Sequence, residues 1–130
     1  MERPAFKKPR LHFDTSPNPA HVTFDDGKHT RRNFQWMHYS EARWDHGSPG
    51  TIKLEIGDLI VVINGYNLGP LFVAIEEKTL LRIRAHPELA QERGRDEDTF
   101  ATSIGFIKPL AIAISTKRSK SSQMDLGLKD

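Results

Sequence analysis

From Ala20 onward the apolar and polar positions fall into short alternating runs. In AHVTF, Val22 and Phe24 alternate with polar neighbours, and Asp25-Asp26-Gly27 follows as a tight-turn signature in which Gly27 accepts a positive φ. The next run, from about Lys28 to Asp45, alternates at Phe34, Trp36 and His38 and then slips near Ser40–Arg43, where a bulge or a short helical turn accounts for the slip. HGSPG (His46–Gly50) is a loop by local rules. TIKLEI alternates strictly, with Ile52, Leu54 and Ile56 on one face and Lys53 and Glu55 on the other. Gly57-Asp58 reverses the chain, and LIVVI follows as a strand that is apolar on both faces and therefore central. Four strands joined by short turns predict an antiparallel β-meander.

The pattern then changes period. After Ile63, in NGYNLGPLFVAIEEK, Leu68, Leu71, Phe72 and Ile75 recur at i, i+3, i+4 and i+7, one face of a helix of about ten residues. Asn67 stands where an N-cap belongs, and Pro70 falls in the first turn, where its missing N–H costs nothing. LLRIRA alternates again, with Leu81, Ile83 and Ala85 inward and Arg82 and Arg84 outward, completing a strand-helix-strand unit. PELAQERG (Pro87–Gly94) predicts a short polar surface helix, and TFATSIGFI a last strand carrying Phe100, Ile104 and Phe106. The fold class expected is α+β: an antiparallel meander of about four strands followed by strand-helix-strand, with flexible N- and C-terminal tails.

The ends differ in composition from the middle. Four prolines within residues 1–19 break periodicity and predict a flexible Pro-rich arm; residues 20–109 form one α+β domain. Residues 110–130 read as a basic, largely disordered tail in which 110–114 could be a strand. The chain carries a net charge of +2 from +3 in residues 1–10, −3 in residues 11–109 and +2 in residues 110–130, so its basic character lies in the ends. With 130 residues there is material for one modest core. The absence of cysteine removes disulfides, zinc–thiolate sites and cysteine nucleophiles together, and gives no sign of an oxidising compartment. The longest apolar runs, LIVVI and LAIAI, are far shorter than the roughly 20 residues that span a bilayer. No membrane contact is expected, and a cytoplasmic setting is the default.

A strand, a glycine and a helix in succession raise the question of a phosphate cradle. Gly65 and Gly69 are spaced G-x-x-x-G, no lysine follows, and Pro70 removes an N–H donor; the glycines serve turn and cap geometry instead. His21, Asp25, Asp26 and His29 lie close in sequence, but a hairpin separates them along its length, and His38, Glu41, Asp45 and His46 lack the H-E-x-x-H spacing. No G-x-S-x-G elbow occurs, and Ser103 has no assignable base. No catalytic residue, metal site or cofactor is expected. An enzyme would need a deep pocket lined by Asp25, His29, His38 or Asp45.

Two binding modes remain. Arg82 and Arg84 project from one strand, Lys53 could share their side of the sheet, and Arg31, Arg32, Trp36, Tyr39, Arg43 and Trp44 mix guanidinium groups with aromatic rings. Single-stranded RNA readers use that mixture, cations for phosphate and rings for bases, which makes Arg31, Arg32, Lys53, Arg82 and Arg84 the candidate nucleic-acid contacts. The other mode is protein binding. The run Leu110–Ile114 is apolar and β-prone, so Leu110, Ile112 and Ile114 are candidates for pairing with a partner or a second subunit. A small non-catalytic protein-interaction or self-associating module is the favoured expectation, with a nucleic-acid accessory protein as the alternative.

Overall fold

The computed structural model describes residues 9–91 and 97–109. Eight strands occur in chain order: β1 (Phe13–Thr15), β2 (His21–Asp25), β3 (Arg31–Gln35), β4 (Tyr39–Arg43), β5 (Thr51–Ile56), β6 (Leu59–Tyr66), β7 (Leu80–Arg84) and β8 (Phe100–Ile107). A single helix, α1 (Gly69–Glu76), lies between β6 and β7, and short 3-10 turns occupy Trp36–His38 and Pro87–Gln91. The strands form two four-stranded sheets. The first, in the order β1-β7-β2-β3, is mixed, because β2 and β7 run parallel; the second, β4-β5-β6-β8, is antiparallel throughout. The protein is mostly β with one short helix. Among the described residues, no helix is long and apolar enough to cross a membrane.

The predicted meander is divided between the sheets. β2 and β3 form a hairpin in the first, while β4, β5 and β6 are consecutive in the second. The chain crosses at Trp36–His38, inside the run expected to be one strand. Trp36 is anchored at the crossing: its indole is buried, its Nε1–H donates to the carbonyl of Leu80 at 3.0 Å, and its backbone N–H donates to that of Ala20 at 2.9 Å. One large ring is thus fixed between β3 and β4, where the backbone leaves the first sheet. The slip expected near Ser40–Arg43 is present as a register irregularity between Tyr39 and Glu41.

The strand-helix-strand unit is likewise split, since β6 belongs to the second sheet and β7 to the first. α1 is therefore a link between sheets. It buries Leu71, Ala74 and Ile75, with Leu68 at its N-cap also buried, and presses Phe72 against Trp44 at a ring separation of 5.4 Å. Asn67 is not the cap. It takes a left-handed conformation (φ 54°), and its amide donates to the carbonyl of Asp98 at 2.8 Å, so it ties the helix start to the chain just ahead of β8. In and just after β7 the inward set is Leu80, Ile83 and Ala85; Leu81 is only half-buried, β1 skipping it with Asp14 facing Arg82 and Thr15 facing Leu80.

One core joins the layers. Val22 and Phe24 of β2 and Ile83 of β7 belong to the same buried cluster as Ile52, Leu54 and Ile56 of β5 and Val61 and Ile63 of β6. Burying each such side chain stabilises by roughly 1.5–3 kcal/mol. The segment read as a flexible arm contributes β1 from residue 13 onward, and Leu11 bridges to Thr99, so the ordered body begins ahead of Ala20. The predicted surface helix from Pro87 is a 3-10 turn ending at Gln91, with Leu89 buried; the rest of that prediction, to Gly94, falls outside the described residues. β8 matches its expected span.

Candidate functional site

The β2–β3 connection is a five-residue loop, and its own carboxylates build it. Asp26 Oδ1 accepts the backbone N–H groups of Lys28, His29 and Thr30 at 2.8, 2.8 and 3.1 Å, while Asp25 Oδ1 accepts that of Gly27 at 2.8 Å. Those backbone bonds, that of Lys28 first, lower the Asp26 pKa to about 2. Gly27 has φ 78°, and a Cβ there would lie 2.8 Å from the carbonyl oxygen of Ala85, so the loop packs backbone against backbone on the end of β7.

This packing brings charged residues together. Asp25 is in register with Arg31 on β3 and with Arg84 on β7, giving the row Arg31–Asp25–Arg84 across three strands. Asp25, Gly27, Lys28, His29, Thr30, Arg31 and Arg84 line an open cleft of about 290 Å³. Among the described residues, no carboxylate oxygen lies within 4.0 Å of the charged nitrogens of Lys28, Arg31 or Arg84.

The five basic residues singled out from the sequence are not one surface. Arg31 and Arg84 share the cleft; Arg82 occupies the neighbouring row, with Nε 3.5 Å from Asp14 Oδ2. Arg32 alternates to the opposite face of β3, where its guanidinium lies 5.3 Å from the centre of the Phe106 ring. Lys53 is on β5, in the other sheet from Arg82 and Arg84. The aromatic rings meant for stacking are turned toward the core. Trp36 is buried, Tyr39 packs edge-on against it at 5.3 Å, and Trp44 is half-buried with its indole N–H on the carbonyl of Pro49. Burial pushes the Tyr39 hydroxyl pKa up, with the charges of Glu76 and Glu41 adding to it. Leu110, Ile112 and Ile114 lie outside the described residues.

Of the residues an enzyme pocket would need, Asp25 and His29 line the open cleft, whereas His38 and Asp45 lie on and after the 3-10 turn and β4 of the other sheet. Among the described residues, no group of three or more His, Asp and Glu side chains is placed to hold a metal ion. His21 instead bonds Asn33 at 3.0 Å. Gly65 is neither turn nor cradle but an interior position of β6, at a register shift opposite β8, where a Cβ would fall 2.1 Å from the carbonyl oxygen of Phe100.

One cluster had no signal in the sequence. Buried Asp98 receives the backbone N–H of Arg10 at 2.9 Å and sits 3.3 Å from His12 Nε2. The His12 ring lies 6.3 Å from that of His86, which bonds Glu88 at 3.1 Å. The Glu88 carboxyl is held below its ordinary range, first by its own backbone N–H and then by His86. Together with the backbone bonds of Thr99 to Arg10 and His12, Asp98 fastens the chain around residues 10–12 to β8.

β8 itself is an edge. β6 lies on one side; on the other, bridges from Leu11 to Thr99 and from Ala85 to Ala101 cover only its beginning. Among the described residues, no strand pairs with that outer side from Thr102 to Ile107, and Ile107 is 52% exposed. No protein-family model matches the chain, and neither a curated protein nor a solved structure does.

Proposed function

We propose that the protein is a non-catalytic module that self-associates through the outer edge of β8. The open row of backbone donors and acceptors from Thr102 to Ile107 carries this proposal. An unpaired edge is a template for a further strand, and two copies joined antiparallel at β8 would run their second sheets into one across a two-fold axis. The side chains favour such pairing. Neither Lys nor Pro interrupts the strand before Lys108, a Cβ at Gly105 would meet nothing within 4 Å, and exposed Ile107 leads toward the apolar run Leu110–Ile114.

Light scattering of the full chain over a concentration series tests the proposal. A dimer is expected for the full chain, weaker association for a chain ending at Pro109, and a monomer for Ile107→Lys, whose exposed side chain can be charged without disturbing the core. A full chain that stays monomeric throughout, or an Ile107→Lys dimer as tight as the parent, refutes self-association through this edge.

A further inference from the structure

We infer that the cleft at the end of the β2–β3 hairpin binds a small phosphorylated molecule that carries hydroxyl groups, with Arg31, Arg84 and Lys28 taking the phosphate and Asp25 accepting a hydroxyl. The site lies at the opposite sheet from the β8 edge and stands independently of it.

The charge arrangement comes first. Arg31 and Arg84 flank Asp25 on adjacent strands, so their Cα atoms stand roughly 10 Å apart at the usual strand spacing. Side chains of that length converge readily on one group between them. Lys28 borders the same cleft from the loop. Elsewhere in this sheet an arginine finds an internal partner, as Arg82 does in Asp14. Here no carboxylate among the described residues pairs with any of the three cations. Arg84 is near enough to Glu88 to help hold that carboxyl below its ordinary range, yet Glu88 bonds His86 instead. Three neighbouring cations that make no ion pair among the described residues, with Asp25 between two of them, outnumber the acid they surround and attract a multiply charged oxyanion, and guanidinium groups match phosphate geometry.

The second point is pre-organisation. A loop that had to order on binding would spend affinity on its own entropy. This loop is already held by three backbone bonds to Asp26, by the contact of Gly27 with Ala85, and by the backbone bond from Ala85 N–H to the carbonyl of Asp25 at 2.9 Å. Lys28 and Arg31 are therefore presented from a fixed frame beside Arg84.

Size and lining then select the class of molecule. The open cleft of about 290 Å³ falls just below the usual range of ligand sites, which starts near 300 Å³, so only a small molecule suits it. Among the described residues its lining contains no Phe, Tyr or Trp on which a nucleobase would stack. Asp25 would repel a bare phosphate, but only its Oδ1 is engaged, by Gly27; Oδ2 has no hydrogen bond among the described residues and can accept one from a hydroxyl. Phosphate plus hydroxyl describes a phosphorylated sugar or polyol.

Titration of the 15N-labelled full chain at constant ionic strength tests this, with inorganic phosphate, ribose 5-phosphate and single-stranded oligothymidylate as probes and the amides of Gly27–Arg31 and Arg84 as reporters. Saturable shifts are expected for both small probes, with ribose 5-phosphate binding tighter and that preference narrowing in Asp25→Asn, whose neutral amide makes a weaker acceptor. Arg31→Ala and Arg84→Ala should each weaken binding about tenfold, as loss of a charge-assisted bond does, while Arg82→Ala leaves it unchanged. Shifts that rise linearly, equal losses in Arg82→Ala, or binding of the oligonucleotide with no response to ribose 5-phosphate would each overturn the assignment.

Discussion

Along the first sheet, the row Arg31–Asp25–Arg84 presents charge to solvent at a loop stiffened by its own carboxylates. Along the second, β8 presents backbone and the exposed apolar side chain of Ile107. Both features sit at margins: one is ionic, and the other is a row of backbone groups with no strand partner among the described residues. The difference follows from how each sheet is assembled. β7 pairs parallel with β2 although β3 to β6 and α1 lie between them in the chain, so the loop at the end of β2 meets the end of β7 and charges from distant segments collect there. β4, β5 and β6 are joined by short reversals, and β8 adds beyond β6, its outer side from Thr102 to Ile107 meeting no strand among the described residues. Here the parallel pairing gathers charged side chains at a strand end of the first sheet, whereas the second sheet's feature is the backbone of its last strand.

Substitutions can separate the contributions of the two sheets. The largest effect is expected where they share a residue. Trp36→Ala removes a buried ring and leaves the Leu80 carbonyl without its indole donor, and should cost about 3–5 kcal/mol in urea unfolding, with both sheets melting together. If only one sheet were lost, the common core would not be cooperative. Gly65→Ala strikes the second sheet alone, forcing a Cβ into the Phe100 carbonyl and the Ala101 Cα; about 3 kcal/mol of destabilisation is expected. Near-parent stability would mean that β6 and β8 do not approach each other as described.

Gly27→Ala is the counterpart in the first sheet, combining a positive φ with contact on the Ala85 carbonyl. A loss of about 2 kcal/mol is expected by the same measurement, and the amide signals of Arg31 and Arg84 should move with it. Movement of β8 signals instead would contradict the separation of the sheets. The smallest effect concerns acid. Asp26 has a folded pKa of about 2 against an ordinary 3.8, so its contribution is present above the ordinary value and is lost as pH falls through about 2. Asp26→Asn, which keeps an acceptor but has no charge to lose, should flatten the fall in melting temperature between about pH 4 and pH 2 relative to the parent.

Some of this architecture is legible in the residues. Strict alternation in TIKLEI fixed which face of β5 is buried, and the spacing of Leu68, Leu71 and Ile75 located the helix, because both signals are local and period-bound. β1 left no such signal: three residues among prolines carry too little periodicity, and the strand exists because Phe13 and Asp14 meet Ile83 and Arg82 from far along the chain. The bulge at Leu81 came from that same distant pairing and displaced one predicted core residue. The outward direction of Arg82 and Arg84 could be read from alternation; that one pairs with Asp14 and the other lines a cleft with Arg31 could not. Asp98 was hidden entirely, since a single acid within a charged run reveals its role only through the backbone it receives.

The amino-acid sequence by itself determined where β2, β5, β6, β8 and the helix form, which side of β5 is buried, and that Gly27 takes a positive φ, because each of these depends on residues within one turn or one strand. Tertiary structure alone decided that the chain changes sheets at Trp36, that β2 and β7 lie side by side, and that Arg31, Arg84 and Lys28 share one cleft. Those outcomes rest on contacts between segments far apart in the chain. Their free energy comes from burying one common core, and no local pattern records which distant partner a strand will find.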